Sequence, residues 1–103
     1  MLTTVRVLAE NGPVRVELAR TRDRLVVVKR LFGFHPELER RLVREAEVVA
    51  KLDHPNILPI LDARDGALVY PYVPGVSLAR ALEHGPLSPQ RALRIARALL
   101  EAL

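Results

Sequence analysis

Apolar and polar residues alternate along the first third of the chain, which is typical of β-strands with one covered face. The alternation predicts strands over residues 3–9 and 14–21, and a run rich in β-branched residues predicts a third strand over 25–31; turns at 10–13 and 22–23 join the three. Asn11 and Gly12 in the first turn suit the positive φ of a hairpin connection. The first part of the chain is therefore predicted to be an antiparallel sheet.

The apolar spacing then changes to a helical period. It predicts a helix over 36–52, with Pro36 in its first turn. Two strands and two helices follow, the helices capped by Ser77 and Ser88. The strands are predicted over 57–63 and 66–72, around the turn 64–66; after a linker at 73–75, the helices are predicted over 77–84 and 89–103. The order β-β-β-α-β-β followed by α-α indicates an α+β fold.

Lys29 is one of only two lysines, and it lies within a run of β-branched residues. Alternation places it on one strand face with Leu25 and Val27. In the helix, Glu45 shares a stripe with aliphatic residues, where an unpaired charge is costly. The two side chains can neutralise each other across the strand and the helix. The alternative is that Lys29 extends to solvent and Glu45 lies at the edge of the stripe.

The amino-acid composition narrows the class of protein to which the chain can belong. The chain has 103 residues, no cysteine, and 50% hydrophobic but only 4% aromatic residues, so we expect one small aliphatic domain or part of a larger one. The lack of cysteine fits a reducing, cytoplasmic location. No signal peptide, no membrane span and no histidine cluster with metal-ligand spacing is expected. The net charge is +4, but the basic residues are interspersed with acidic ones. This pattern favours an ordinary solvated surface over nucleic-acid binding.

These residues carry a family resemblance. The motif VVVK at 26–29 resembles the V-A-I-K of bacterial eukaryotic-like Ser/Thr protein kinases. The segment 43–58 resembles helix C and its following loop, 67–82 resembles strand five, the hinge and helix D, and 86–103 resembles the helix that leads to the catalytic loop. The resemblance implies a kinase-like N-lobe, a five-stranded antiparallel sheet with helix C, followed by two C-lobe-type helices. Its implied divisions are an N-lobe at 1–72, a hinge at 73–76 and the start of an incomplete C-lobe at 77–103.

The resemblance also implies site residues. Lys29 would hold the α- and β-phosphates of ATP, and Glu45 would orient Lys29. The backbone of Val73 would bind adenine, and Ser77 would lie near the ribose. The other implied nucleotide-binding positions are Leu8, Val16, Val27, Tyr70 at the gatekeeper position, and Pro71 in the hinge.

The phosphate loop departs from the family pattern G-x-G-x-x-G. Ala9, Asn11 and Val14 stand at the three glycine positions, and only Gly12, between them, is glycine. Pro13 has no N–H for a phosphate, and Val14 resists positive φ. Phosphate binding is therefore expected to be weak or absent, and the alternative function is a pseudokinase-type regulatory or partner-binding module.

The sequence ends before the family's H-R-D catalytic loop and contains no D-F-G segment. ATP is thus the expected ligand, with Mg²⁺ used only in a complete parent, and these residues alone are expected to transfer no phosphate to protein Ser or Thr. The 89–103 helix is expected to need a cover, either a missing C-lobe or a partner protein. Its apolar residues are Leu93, Ile95, Ala96, Leu99, Leu100 and Leu103.

Overall fold

Five strands form one antiparallel sheet in the order β1-β2-β3-β5-β4. The structure, a computed structural model, describes residues 2–103. One long helix, α1, follows β3, and two helices, α2 and α3, follow β5, which confirms the α+β prediction. The bounds are β1 Thr3–Asn11, β2 Val14–Arg20, β3 Leu25–Leu31, α1 Pro36–Ala50, β4 Asp62–Arg64, β5 Ala67–Pro71, α2 Leu78–Leu82 and α3 Pro89–Ala102.

The predicted strand over 57–63 is wrong for most of its length. Only β4, three residues long, is strand, and it begins at Asp62. Pro59 lies in the middle of the predicted run and lacks the N–H that a ladder requires. The backbone N–H of Leu61 still donates to the Val69 carbonyl at 2.7 Å, so pairing with β5 begins just before β4.

Two tight turns fix the register of the sheet. Asn11 pairs with Val14, so the β1–β2 connection is Gly12-Pro13, and Gly12 has a φ of 60°. Glycine with positive φ at the first central position is what a type II′ turn requires. Between β4 and β5, Asp65 and Gly66 both have positive φ, at 47° and 74°, as in a type I′ turn.

The sheet contributes buried residues from both faces. On one face Ala19, Val26, Val28 and Val69 form the core cluster, with Val28 at 0% exposure. On the other face Leu18 and Leu68 are buried, and so is Leu42 of α1, which contacts β5. Burial of apolar surface here holds α1 beside β3 and β5.

Two compact units divide the chain: Met1–Asp53 with Leu58–Tyr72, and His54–Ile57 with Val73–Leu103. The first contains the sheet and α1. In the second, Ser88 Oγ accepts a hydrogen bond from the Arg91 N–H at 3.2 Å, and Asn56 Nδ2 donates to the Ala98 carbonyl at 2.8 Å. No residue of α2 or α3 is buried. Within 2–103, no helix has the length and hydropathy needed to cross a membrane.

Candidate functional site

One face of the sheet carries the residues that the sequence singled out. Directly opposite residues in an antiparallel ladder project to the same side. Val16 on β2 pairs with Lys29 on β3, and Val27 on β3 pairs with Tyr70 on β5. These four side chains, all half-buried, therefore form one surface on the central strands, which we call the Lys29 face.

Lys29 meets Glu45 on this face. Its Nζ lies 3.3 Å from Oε2 and 3.4 Å from Oε1 of Glu45, so a strand lysine bonds a helix carboxylate sixteen residues later in the chain. The Lys29 side chain is 34% exposed and that of Glu45 is 36% exposed. The pair is therefore partly screened from water and still open to a ligand from solvent. Of the two interpretations open from the sequence, the structure shows the paired one.

Tyr70 completes a group of three polar side chains. Burial of its ring, and after it the negative charge of the Glu45 carboxylate, raise the pKa of Tyr70 to about 12. The phenol thus keeps its proton beside Glu45. Lysine, carboxylate and phenol converge from β3, α1 and β5, three elements that are close together only in the folded chain.

The other predicted site residues are placed as follows. Leu8 lies at an irregularity of β1, where the register shifts between Val7 and Ala9, and it is exposed. Pro71 pairs with Val26, so its ring projects from the face opposite Lys29. Val73 and Ser77 belong to the second unit, where Val73 is 65% exposed and Ser77 caps α2 by accepting from the Arg80 N–H.

The β1–β2 turn offers few backbone donors. Pairing between the strands continues to Asn11 and Val14, so only Gly12 and Pro13 stand outside the ladder. Pro13 has no N–H, and its carbonyl accepts from the Phe32 N–H at 2.9 Å. This turn therefore cannot form a broad cradle of N–H groups for an anion.

A buried carboxylate on the opposite face was not anticipated. Glu17 is 6% exposed, its Oε1 lies 3.1 Å from the Nε of Arg30, and its Oε2 lies 3.9 Å from a guanidinium nitrogen of Arg15. Arg15 also lies over the ring of Phe32, 4.5 Å from its centroid. The sequence does contain a sign of this cluster. Once the hairpin register is known, Arg15 and Arg30 lie opposite each other on the strand face that also carries Glu17. Among residues 2–103, no group of three acidic or histidine side chains could hold a metal ion.

Comparison with known proteins places this geometry in a family. No protein-family model matches the chain. The chain is 35% identical over 109 aligned residues to the serine/threonine-protein kinase PrkC of Bacillus subtilis, covering 96% of this chain and 17% of PrkC. It is 36% identical over 90 residues to the serine/threonine-protein kinase PknE of Mycobacterium bovis, covering 80% of this chain and 16% of that protein.

A solved structure agrees in fold. The kinase domain of PknI from Mycobacterium tuberculosis superposes with a TM-score of 0.77 at 29% identity, over 98% of this chain and 45% of that one. The chain thus spans about a sixth of the curated relatives and under half of the solved domain. The chain is homologous to bacterial Ser/Thr protein kinases and has the fold of one part of their kinase domain.

Proposed function

We propose that the Lys29 face is the nucleotide site of a Ser/Thr protein kinase-like domain, with ATP as its ligand. The observation that supports this most is the contact between Lys29 and Glu45, at 3.3 Å, in a chain homologous to Ser/Thr kinases. A lysine ammonium is a compact charge that suits phosphate oxygens, and a carboxylate beside it fixes its direction. Lys29 would bind the α- and β-phosphates, and Glu45 would orient Lys29.

The remaining roles follow from the same proposal. Val16 and Val27 lie on the Lys29 face and offer apolar surface to adenine, with Tyr70 next to Val27. Leu8 would line the edge of the same nucleotide site. The Pro71 carbonyl, the Val73 backbone and Ser77 would contribute further adenine and ribose contacts. In this proposal residues 1–72 are the N-lobe, 73–76 the hinge and 77–103 the start of the C-lobe.

Phosphoryl transfer is proposed only of a complete domain. The transfer depends on a catalytic-loop base and on metal-borne charge stabilisation, and the corresponding H-R-D and D-F-G segments are not among these 103 residues. Mg²⁺ would act with ATP in that complete domain. The exposed leucines of α3, which include Leu93 and Leu100 at 64% and 69%, would be covered there by further residues of the domain or by a partner protein.

Titration calorimetry with ATP and Mg²⁺ tests the proposal. We expect the chain to bind ATP and Lys29→Ala to lose most of that affinity. Lys51→Ala is the matched control, because Lys51 is the only other lysine, is exposed at the end of α1, and should be replaceable without effect. Equal affinities in Lys29→Ala and the unsubstituted chain would refute the assignment of Lys29.

A pseudokinase-type regulatory module is the second candidate, and the β1–β2 turn favours it. A loop with Pro13 and no N–H cradle would hold phosphates poorly. Under the nucleotide-binding proposal, Pro13→Gly adds a donor and freedom of φ, and it should strengthen ATP binding. Under the regulatory alternative, neither the chain nor Pro13→Gly binds ATP, and Lys29 and Glu45 serve only to hold α1 on the sheet.

A further inference from the structure

The β1–β2 turn is bonded to the end of β3. Pairing of β2 with β3 extends to Val14 and Leu31. The next residue, Phe32, donates its N–H to the carbonyl of Pro13 at 2.9 Å. Pro13 is one of the two residues that lie outside the β1–β2 ladder, so the turn is attached to the third strand as well as to its own two.

The side chain of Arg15 contacts residues on both sides of this turn. Arg15 stands opposite Glu10 of β1 and Arg30 of β3 in the ladder, on the sheet face opposite Lys29. Its Nε lies 2.9 Å from Oε1 of Glu10. Its guanidinium carbon lies 4.5 Å from the centroid of the Phe32 ring, within the range of a cation–π contact. We call Glu10, Arg15 and Phe32 the Arg15 brace.

Arginine suits this position better than lysine would. Its planar guanidinium can lie on an aromatic ring while its edges face carboxylates. The Nε–H has no hydrogen-bond acceptor within residues 2–103, so Glu10, which is 60% exposed, attracts it as an ion pair. A terminal nitrogen of Arg15 also lies 3.9 Å from Oε2 of Glu17, a buried carboxylate. Each contact is weak, but all of them share one side chain, so its rotamer entropy is lost only once.

The residue after Arg15 projects to the other face of the sheet. Successive side chains of a strand alternate, so Val16 lies on the Lys29 face, directly opposite Lys29 in the ladder. A contact that fixes the backbone at Arg15 therefore also fixes the place of Val16. The turn itself is restricted further by the ring of Pro13 and by the bond from Phe32.

We propose that Arg15 is a positioning residue for the nucleotide site: through Glu10 and Phe32 it fixes the β1–β2 turn against β3 before any ligand binds. The turn is then a rigid border of the Lys29 face and does not close over a ligand as a flap. The consequence for ATP rests on the function proposed above, in which Val16 offers apolar surface to adenine. The brace itself belongs to the ligand-free protein, so it can be tested without nucleotide.

Backbone ¹⁵N relaxation measures whether the turn is fixed. Gly12 should have an order parameter of about 0.85, as rigid backbone does and as Gly66 in the β4–β5 turn should. Arg15→Met keeps the apolar stem and removes the guanidinium, so the value at Gly12 should fall towards about 0.6 while that at Gly66 stays. Arg20→Met, at the exposed far end of β2, is the matched control and should change neither. A mobile Gly12 in the unsubstituted chain, or an unchanged Gly12 in Arg15→Met, overturns the proposal.

A double-mutant cycle on chemical unfolding measures the contact between Arg15 and Phe32. The variants are Arg15→Met, Phe32→Leu and the two combined. We expect the combined change in the unfolding equilibrium constant to differ by about twofold or more from the product of the single changes. Arg20→Met with Phe32→Leu is the control cycle, which should be multiplicative. A multiplicative Arg15 cycle overturns the proposal.

Ligand binding then separates this proposal from the proposed function. If ATP binds, Arg15→Met should weaken ATP and adenosine severalfold and by the same factor, because a displaced Val16 affects adenine and not phosphate. Arg20→Met should leave both affinities unchanged. Unchanged affinities in Arg15→Met, or a loss confined to ATP, overturn the positioning role. If neither ATP nor adenosine binds to any variant, the proposed function fails, and the relaxation measurement and the unfolding cycle still decide whether Arg15 fixes the turn.

Discussion

The Nζ of Lys29 lies 3.3 Å from the Oε2 of Glu45, joining the third strand of the sheet to the helix that follows it. Each residue lies among apolar neighbours of its own element, and each is only partly exposed. The pair is close enough to interact and open enough to accept a third charged group. We therefore expect the Lys29–Glu45 pair to contribute more to ligand binding than to the stability of the fold.

Replacing Glu45 with glutamine should separate these two effects. The unfolding free energy should fall by less than about 1 kcal/mol, because both side chains are about a third exposed and screened by water. ATP affinity should fall clearly more than this stability change suggests, since Lys29 loses its orienting anion. Urea unfolding and calorimetry on the same preparation measure both, and a large loss of stability without loss of affinity would contradict the account.

The core valines should carry much of the stability of the sheet. Val28 is fully buried among Ala19, Val26 and Val69, so Val28→Ala removes two methyl groups and leaves a cavity. We expect a loss of about 2 kcal/mol or more in denaturant unfolding. Val5→Ala, on a strand residue that is 48% exposed, is the control and should cost about 0.5 kcal/mol or less.

The carboxylate of Glu17 should make Arg30 important for stability. With Arg30→Met, Glu17 remains 6% exposed and keeps only the more distant Arg15, so we expect a cost of about 1–3 kcal/mol. Combining Arg30→Met with Glu17→Gln should restore part of this loss, because the glutamine carries no charge that needs a partner. A double variant less stable than Arg30→Met alone would show that the carboxylate is not the cause.

Alkaline pH should destabilise the protein through Tyr70. Its pKa is raised in the folded chain to about 12, from 10.0 when unperturbed, so the folded state holds the phenol proton more tightly than the unfolded state does. This contribution to stability is fully present below pH 10 and is lost as the pH rises to 12. The decline in unfolding free energy over that interval should be shallower in Tyr70→Phe and unaltered in Tyr72→Phe.

Local sequence signals predicted most of the fold. Alternation in β2, the β-branched run of β3 and the change to a helical period at Pro36 placed the sheet and α1, and Ser77 and Ser88 marked the starts of α2 and α3. The strand predicted after Asn56 was wrong because the prediction gave the apolar residues more weight than Pro59. Pro59 has no N–H to donate to a neighbouring strand, and this loss prevented strand formation even though the residues around it are apolar.

The candidate site was predictable where it depended on pairs of charged residues on apolar faces. Lys29 and Glu45 could be matched because each places a charge among the apolar residues of its own element, where an unpaired charge is unfavourable. The approach of Tyr70 to Glu45 could not be read in the same way, since it depends on the β3–β5 register and on where α1 crosses the sheet. Glu17 was missed because its pairing with Arg30 depends on the β2–β3 register.

The most direct test of the central claim compares ATP with adenosine on three proteins: the unsubstituted chain, Lys29→Ala and Lys51→Ala. If Lys29 binds phosphate, Lys29→Ala should lower the affinity for ATP by about tenfold or more, the value of a charge-assisted hydrogen bond, and leave the affinity for adenosine unchanged. Lys51→Ala should bind both as the unsubstituted chain does. An equal loss for ATP and adenosine in Lys29→Ala, or no loss for either, would contradict the account.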